Sequence, residues 1–274
     1  MKKQITIYQH YIPKTILKNF ESENCARTLY KYDKKKNKEY CVNAKDMCKE
    51  KYLYEFKNED GSIDEQTINV IEDNFCCLEN RWNIIIKKIK NRKILSKEEK
   101  NLMGLLIIIQ CLRTPEILAC TTDFIKEICP NLSTTELKNI TRYETLIAKK
   151  ISSNDKLLFK KAVETLLKEK QLIIYYSDNN FILSENHPVF DLNILGDHNY
   201  DSSKLLFPIT PHFALSLINE NEKEKLYKKI DADFIDFINA VNYSIDGRFL
   251  YSSKGIKKDI EKYSQILENF KIDY

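Results

Sequence analysis

The chain has 274 residues, of which 43% are hydrophobic and 31% charged, enough apolar content for a packed core in one large domain or two small ones. Lys+Arg 44 against Asp+Glu 40 leaves +4, so no polyelectrolyte tail or strongly basic nucleic-acid platform is implied. Five glycines and six prolines supply few turns, and that argues against an all-β fold.

Along the N-terminal third, Leu29–Asp33 alternates like a strand, Lys34–Lys38 reads as a charged turn, and Glu39–Val42 is placed to pair back. The opening MKKQITIYQH is basic but lacks the apolar core of a secretory signal. Asn58–Ser62 is a polar break. The middle is helical. Leu78, Trp82, Ile85 and Ile89 recur at spacings of four, three and four, which gives one apolar face. Ser96 and Glu99 form a capping box for the next helix, whose Leu105–Ile109 stretch is apolar nearly all round and therefore central. Thr114-Pro115 starts another helix with Thr as N-cap and Pro at its first position, and Pro130 ends it. Ser133 with Glu136 repeats the capping signature, and a further helix is expected from about Ser153 or Asn154 to Lys168.

In the last third, Leu172–Tyr176 and Phe181–Ser184 flank Ser177–Asn180 and read as a β-hairpin. Leu205–Ile209 and Phe213–Leu217 form a second strand pair, bent or at an edge because of Pro208 and Pro211. A helix from about Asp231 to Ser244, a strand Arg248–Ser252 and an amphipathic helix from about Gly255 to Phe270 follow. The fold class is α+β: a helical middle, with short antiparallel strands contributed by the N-terminal and C-terminal thirds, in one domain over 1–274.

The chemistry-bearing motifs are mostly missing. No glycine cluster cradles a phosphate, and H-E-x-x-H and G-x-S-x-G are absent. The eight cysteines contain no C-x-x-C pair; Cys111 and Cys120 lie in apolar helical surroundings, as reduced buried thiols do, and a reducing cytoplasmic compartment is expected. Leu102–Leu112 is too short to cross a bilayer, so no membrane partner is expected. Asp191, Asp197, His198 and Asp201 match no metal loop and read as solvated, and no metal is assigned. Asp178 on the expected hairpin and Glu185 just after its second strand resemble the paired carboxylates of some metal-dependent nucleases, although no lysine stands two positions after Glu185. Tyr30, Tyr32 and Tyr40 between lysines suit base stacking or a half-buried strand equally.

Gln9-His10-Tyr11-Ile12-Pro13 with Leu17 and Asn19-Phe20 resembles the opening motif of the bacterial family catalogued as domain of unknown function 4238. Matches follow in order: Leu29–Asp33, the glutamate-bearing stretch Glu72–Trp82, Leu112–Pro115, Phe181–Val189, Phe207–Pro211, Ile238-Asn239 and Phe249–Ser252. The resemblance implies one family domain and a map of site residues, but no reaction. The family's Ser-Asp-x-Pro falls on Glu185–Pro188 if read without a gap, placing Asn186 where aspartate is usual; shifting by one places Glu185 there.

The mapped residues give two functional readings. In the first, the protein is a nuclease-like or other hydrolase of a phosphate-containing substrate. His10 is general acid/base, Arg113 the anion clamp, and Glu79 and Asn239 complete the catalytic set; Asn186 and His187 bind substrate, and no cofactor is assigned. In the second, the same groups hold an anionic small molecule or nucleic acid without turnover, as a sensor in a stress or phage-defence system. Both compete with a purely internal network in which Arg113 pairs with Glu72 or Glu79, seven residues apart on one helix face, while His10 and Asn239 tie loops to backbone.

Overall fold

The computed structural model describes residues 4–22, 28–146, 170–192, 204–219 and 225–269. The helix expected to end at Lys168, and the loop residues Asp197, His198 and Asp201, lie outside them. Elements follow in the order β1 (Tyr8–His10), α1 (Lys14–Asn19), β2 (Leu29–Asp33), β3 (Lys38–Val42), β4 (Lys49–Lys51), α2 (Val70–Lys90), α3 (Lys97–Leu112), α4 (Pro115–Ile128) and α5 (Thr134–Leu146). Then come β5 (Lys170–Tyr176), β6 (Leu183–Ser184), β7 (Phe190–Asp191), β8 (Leu205–Thr210), β9 (Phe213–Asn219), β10 (Tyr227–Lys229), α6 (Ala232–Ser244), β11 (Phe249–Ser252) and α7 (Ile260–Asn269). The fold is α+β.

The strands make three sheets: β1-β4, β10-β5-β9-β8-β7 and β3-β2-β11-β6. All pairings are antiparallel except β10 with β5. Strand periodicity of two sorts the side chains between layers. In the five-stranded sheet Leu172, Ile174, Phe207, Leu215 and Leu217 enter the main core with Trp82, Ile86, Leu106 and Ile109 of α2 and α3. The alternate residues Ile173, Tyr175, Leu206, Ala214 and Ile218 pack with Ile235, Ile238 and Val241 of α6 on the other side. The four-stranded sheet divides likewise: Leu29, Leu183 and Tyr251 join the main core, while Tyr32 and Leu250 pack with Ala240 and Tyr263 of the last two helices.

Local signals act as their chemistry requires. Ser96 and Glu99 close both bonds of a capping box, and Ser133 with Glu136 does the same before α5. Pro208 sits at the register irregularity between β8 and β9, where a residue without an N–H is tolerated.

Three expectations need correction. The strands flanking Ser177–Asn180 do not pair: β5 lies between β9 and β10, and β6 joins β11 in another sheet. Non-local partners hold that segment, with Ser177 N–H donating to the His212 carbonyl (3.2 Å) and Phe181 N–H to that of Pro211 (2.7 Å). Thr114 occupies the N-cap position of α4, but its hydroxyl makes no capping bond. Cys120 is exposed on α4, and only Leu118 of that helix is buried.

Candidate functional site

The candidate site is built on the corner between α3 and α4, where the chain turns through 68°. Arg113 ends α3 and is 1% exposed. Its guanidinium is surrounded by protein partners. Nε donates to the Tyr54 hydroxyl (3.3 Å), Nη1 to Glu79 Oε1 (3.2 Å) and Nη2 to the His10 carbonyl. The Phe75 ring lies 4.2 Å from the guanidinium carbon, a cation–π arrangement. The Tyr54 hydroxyl shares its proton between the carbonyls of His10 (3.2 Å) and Arg113 (3.3 Å). Desolvation opposes the Arg113 charge, but Tyr54, Glu79 and Glu72 outweigh it and raise its pKa.

The N-terminal segment is locked onto this corner. Gln110 of α3 donates to the Tyr11 carbonyl (2.9 Å), and Gln9 bridges the Tyr54 N–H and Glu55. It is the His10 backbone, rather than its imidazole, that meets Arg113. The imidazole donates from Nε2 to the Lys45 carbonyl (3.2 Å), and its pKa is lowered to about 4, chiefly by burial, with Lys49, Arg113 and Lys14 adding to the effect. It is therefore neutral at pH 7.

Glu72, two helical turns before Glu79, faces the same block, and its Oε2 has no hydrogen-bond partner. Burial raises its pKa from 4.5 to about 7 against the pull of Arg113. The unfolded chain releases this proton near pH 4.5 and the folded chain only near 7. Stability is therefore lost as pH rises between those values, and the penalty is complete above 7. Glu72→Gln removes it. Urea unfolding is expected to find the variant about 1–3 kcal/mol more stable than wild type at pH 8 and similar at pH 4. A variant less stable at pH 8 would show that the carboxylate is needed ionised.

Outside this block lies a more accessible layer. Glu116, in the first turn of α4, accepts from Asn186 Nδ2 on Oε1, and His187 Nε2 lies 3.5 Å from Oε2. The His187 and Glu116 side chains are 35% and 45% exposed. Gly247 packs against Asn186 with φ +137°, and a Cβ there would fall 3.3 Å from that side chain, so both conformation and space call for glycine. The neighbouring Glu185 points to different partners. It accepts from the Tyr251 hydroxyl (2.8 Å), with Cys48 Sγ at 4.0 Å and Tyr11 also bonded to it. Burial pushes the Cys48 thiol and both tyrosines well above their ordinary values, so all three stay protonated.

Five of the six residues selected from the sequence thus border one corner: His10, Glu79 and Arg113 in the inner block, Asn186 and His187 in the outer layer. Asn239 is elsewhere. From α6 it accepts from the Ile182 N–H (3.0 Å) and donates to the Asn180 carbonyl (2.8 Å) and the Tyr263 hydroxyl (3.4 Å). Tyr54, Glu116 and Cys48 carried no motif in the sequence, Tyr251 lay only within the matched Phe249–Ser252 segment, and Glu185 was marked by the shifted Ser-Asp-x-Pro register and by its pairing with Asp178. Asp178, expected near Glu185, instead pairs with Lys229 (2.8 Å) because the hairpin that would join them does not form. Among the described residues no group of three His, Cys, Asp or Glu is placed to hold a metal ion, and no single helix is long and apolar enough to cross a membrane.

No curated protein and no solved structure matches the chain. Residues 8–254 match the family described as "Protein of unknown function (DUF4238)", a span that holds every residue of the α3–α4 corner, and the chain belongs to that family.

Proposed function

We propose that this protein is a binding module for a small polar ligand, recognised by Glu116, Asn186 and His187 on a scaffold braced by Arg113. The observation that carries the reading is the internal commitment of Arg113. A guanidinium 1% exposed, with Tyr54, Glu79 and a backbone carbonyl on its three nitrogens, holds three chain segments together and has no free edge for substrate. The outer layer offers a ligand one carboxylate, one carboxamide and one imidazole at half-exposed positions.

A second reading is hydrolysis of a phosphate-containing substrate, small or nucleic acid. It is favoured by the His187–Glu116 pair, an imidazole beside a carboxylate at an accessible edge. Thermal shift against AMP, ADP, ATP and short RNA, with product formation followed in the same samples, separates the two. Binding predicts stabilisation without product; at 100 times Kd it amounts to about 2.7 kcal/mol, or several degrees in Tm, and it disappears in His187→Ala. Product formation lost in His187→Ala or His10→Ala overturns the binding-only reading.

A further inference from the structure

A cleft of about 320 Å³ opens between the segment after β4 and the helices α4 and α5, starting at Pro115, one residue from Glu116. Its charged lining is Lys51, Lys57, Lys138 and Arg142 against a single carboxylate, Glu50. The wall hydroxyls of Thr122 and Thr141 bond each other (3.0 Å) and the carbonyls of Leu118 and Leu137 in their own helices. Besides the Tyr52 side chain, the groups that could meet an anion there are therefore the cations.

Arg142 is the unusual member. Its Nε donates to the Leu53 carbonyl (2.9 Å), while Nη1 is shut off from solvent with no acceptor. Desolvation lowers its pKa, and the carboxylate acting on it, Glu55, is already engaged by Gln9 Nε2 (2.5 Å) and the Asn69 N–H (3.0 Å). The contrast with Arg113, whose charge Glu79 balances, is direct. A half-buried guanidinium without an ion-pair partner among the described residues is electrostatically incomplete, and an anion in the cleft would complete it.

We infer that this cleft is an anion site for a small phosphorylated molecule, with Arg142 and Lys138 as its principal cations. The volume, about 320 Å³, lies at the lower end of ligand pockets, fitting a sugar phosphate or pyrophosphate rather than a nucleotide or a polymer. Compact ammonium groups, beside a guanidinium that no carboxylate pairs among the described residues, suit a phosphoryl group. The inference goes beyond the reading above, since none of its cations belongs to the Glu116–Asn186–His187 layer.

Isothermal titration of the full chain with inorganic pyrophosphate, and separately with citrate as a carboxylate of comparable charge, tests it. Saturable pyrophosphate binding that weakens on raising NaCl from 0.05 to 0.5 M is expected, with citrate at least 5-fold weaker. Arg142→Gln, which removes the charge, should weaken binding about 10-fold or more. Exposed Lys138→Ala should weaken it about 3- to 10-fold with thermal stability unchanged, so the result does not depend on Arg142→Gln folding. His187→Ala should leave pyrophosphate affinity unaltered; loss of binding there would move the anion to the outer layer and overturn the assignment. Absence of saturable binding, affinity indifferent to both cation variants, or citrate binding as tightly as pyrophosphate would also overturn it.

Discussion

Arg113→Ala is expected to destabilise the protein by about 3–5 kcal/mol, the usual cost of removing one partner from a buried ion pair. The substitution leaves the Glu79 carboxylate without its cation and Glu72 with less compensation, and it frees the His10 carbonyl from its guanidinium donor. It also detaches Tyr54 Oη from Nε and opens a cavity against Phe75. Conserving the charge does not restore the geometry, since lysine cannot address Tyr54, Glu79 and the His10 carbonyl together. Chemical denaturation of wild type, Arg113→Ala and Arg113→Lys should therefore rank them in that order reversed for the two variants: wild type most stable, lysine intermediate, alanine least. A stable, well-folded alanine variant that loses only ligand binding would instead make Arg113 a recognition group.

Asn239→Ala is expected to cost about 2–4 kcal/mol through a different mechanism. The side chain is 2% exposed, and its loss strands the Ile182 N–H and the Asn180 carbonyl. Each buried polar group left unpaired costs about 1–3 kcal/mol. The affected contact joins α6 to the segment before β6, apart from the α3–α4 corner. At a temperature where the variant remains folded, its affinity for any ligand of the corner or the cleft should match wild type. A variant of undiminished stability but reduced affinity would return Asn239 to the functional set.

The sequence carried the local structure of this protein well wherever one short stretch decides it. Ser96-x-x-Glu99 closes on itself within a helical turn, and the two short apolar runs Leu205–Ile209 and Phe213–Leu217, parted by Thr210-Pro211-His212, mark a strand pair. The β5–β6 hairpin was illegible for the complementary reason. Ser177–Asn180 has turn-forming residues, and the Asn179 N–H does bond the Ser177 hydroxyl (3.2 Å), but the segment's other partners include His212, Lys229, Asn239 and Ser253, all distant in the chain. Apolar runs buried on both faces do not reveal which strand they pair with.

The same division holds at the candidate site. A buried arginine needs an anion, and glutamates seven apart share a helix face, so the Arg113–Glu79 contact was legible as one alternative. Nothing in the order of residues indicates that Arg113 meets the carbonyl of His10 rather than its ring, because a backbone acceptor is present at every position. Tyr54 and Glu116 are found only through contacts spanning 59 and 70 residues.

In the function proposed above, Arg113 is sealed within the fold and recognition takes place outside it. Labelling the native protein with phenylglyoxal, with sites mapped by mass spectrometry, tests this directly. Arg81, with its side chain 53% exposed, and the exposed Arg92 should react readily. Arg113 should stay unmodified until denaturant unfolds the chain. Labelling of Arg113 in the folded protein at the rate of Arg81, and its protection by a bound nucleotide, would make Arg113 an accessible recognition group instead.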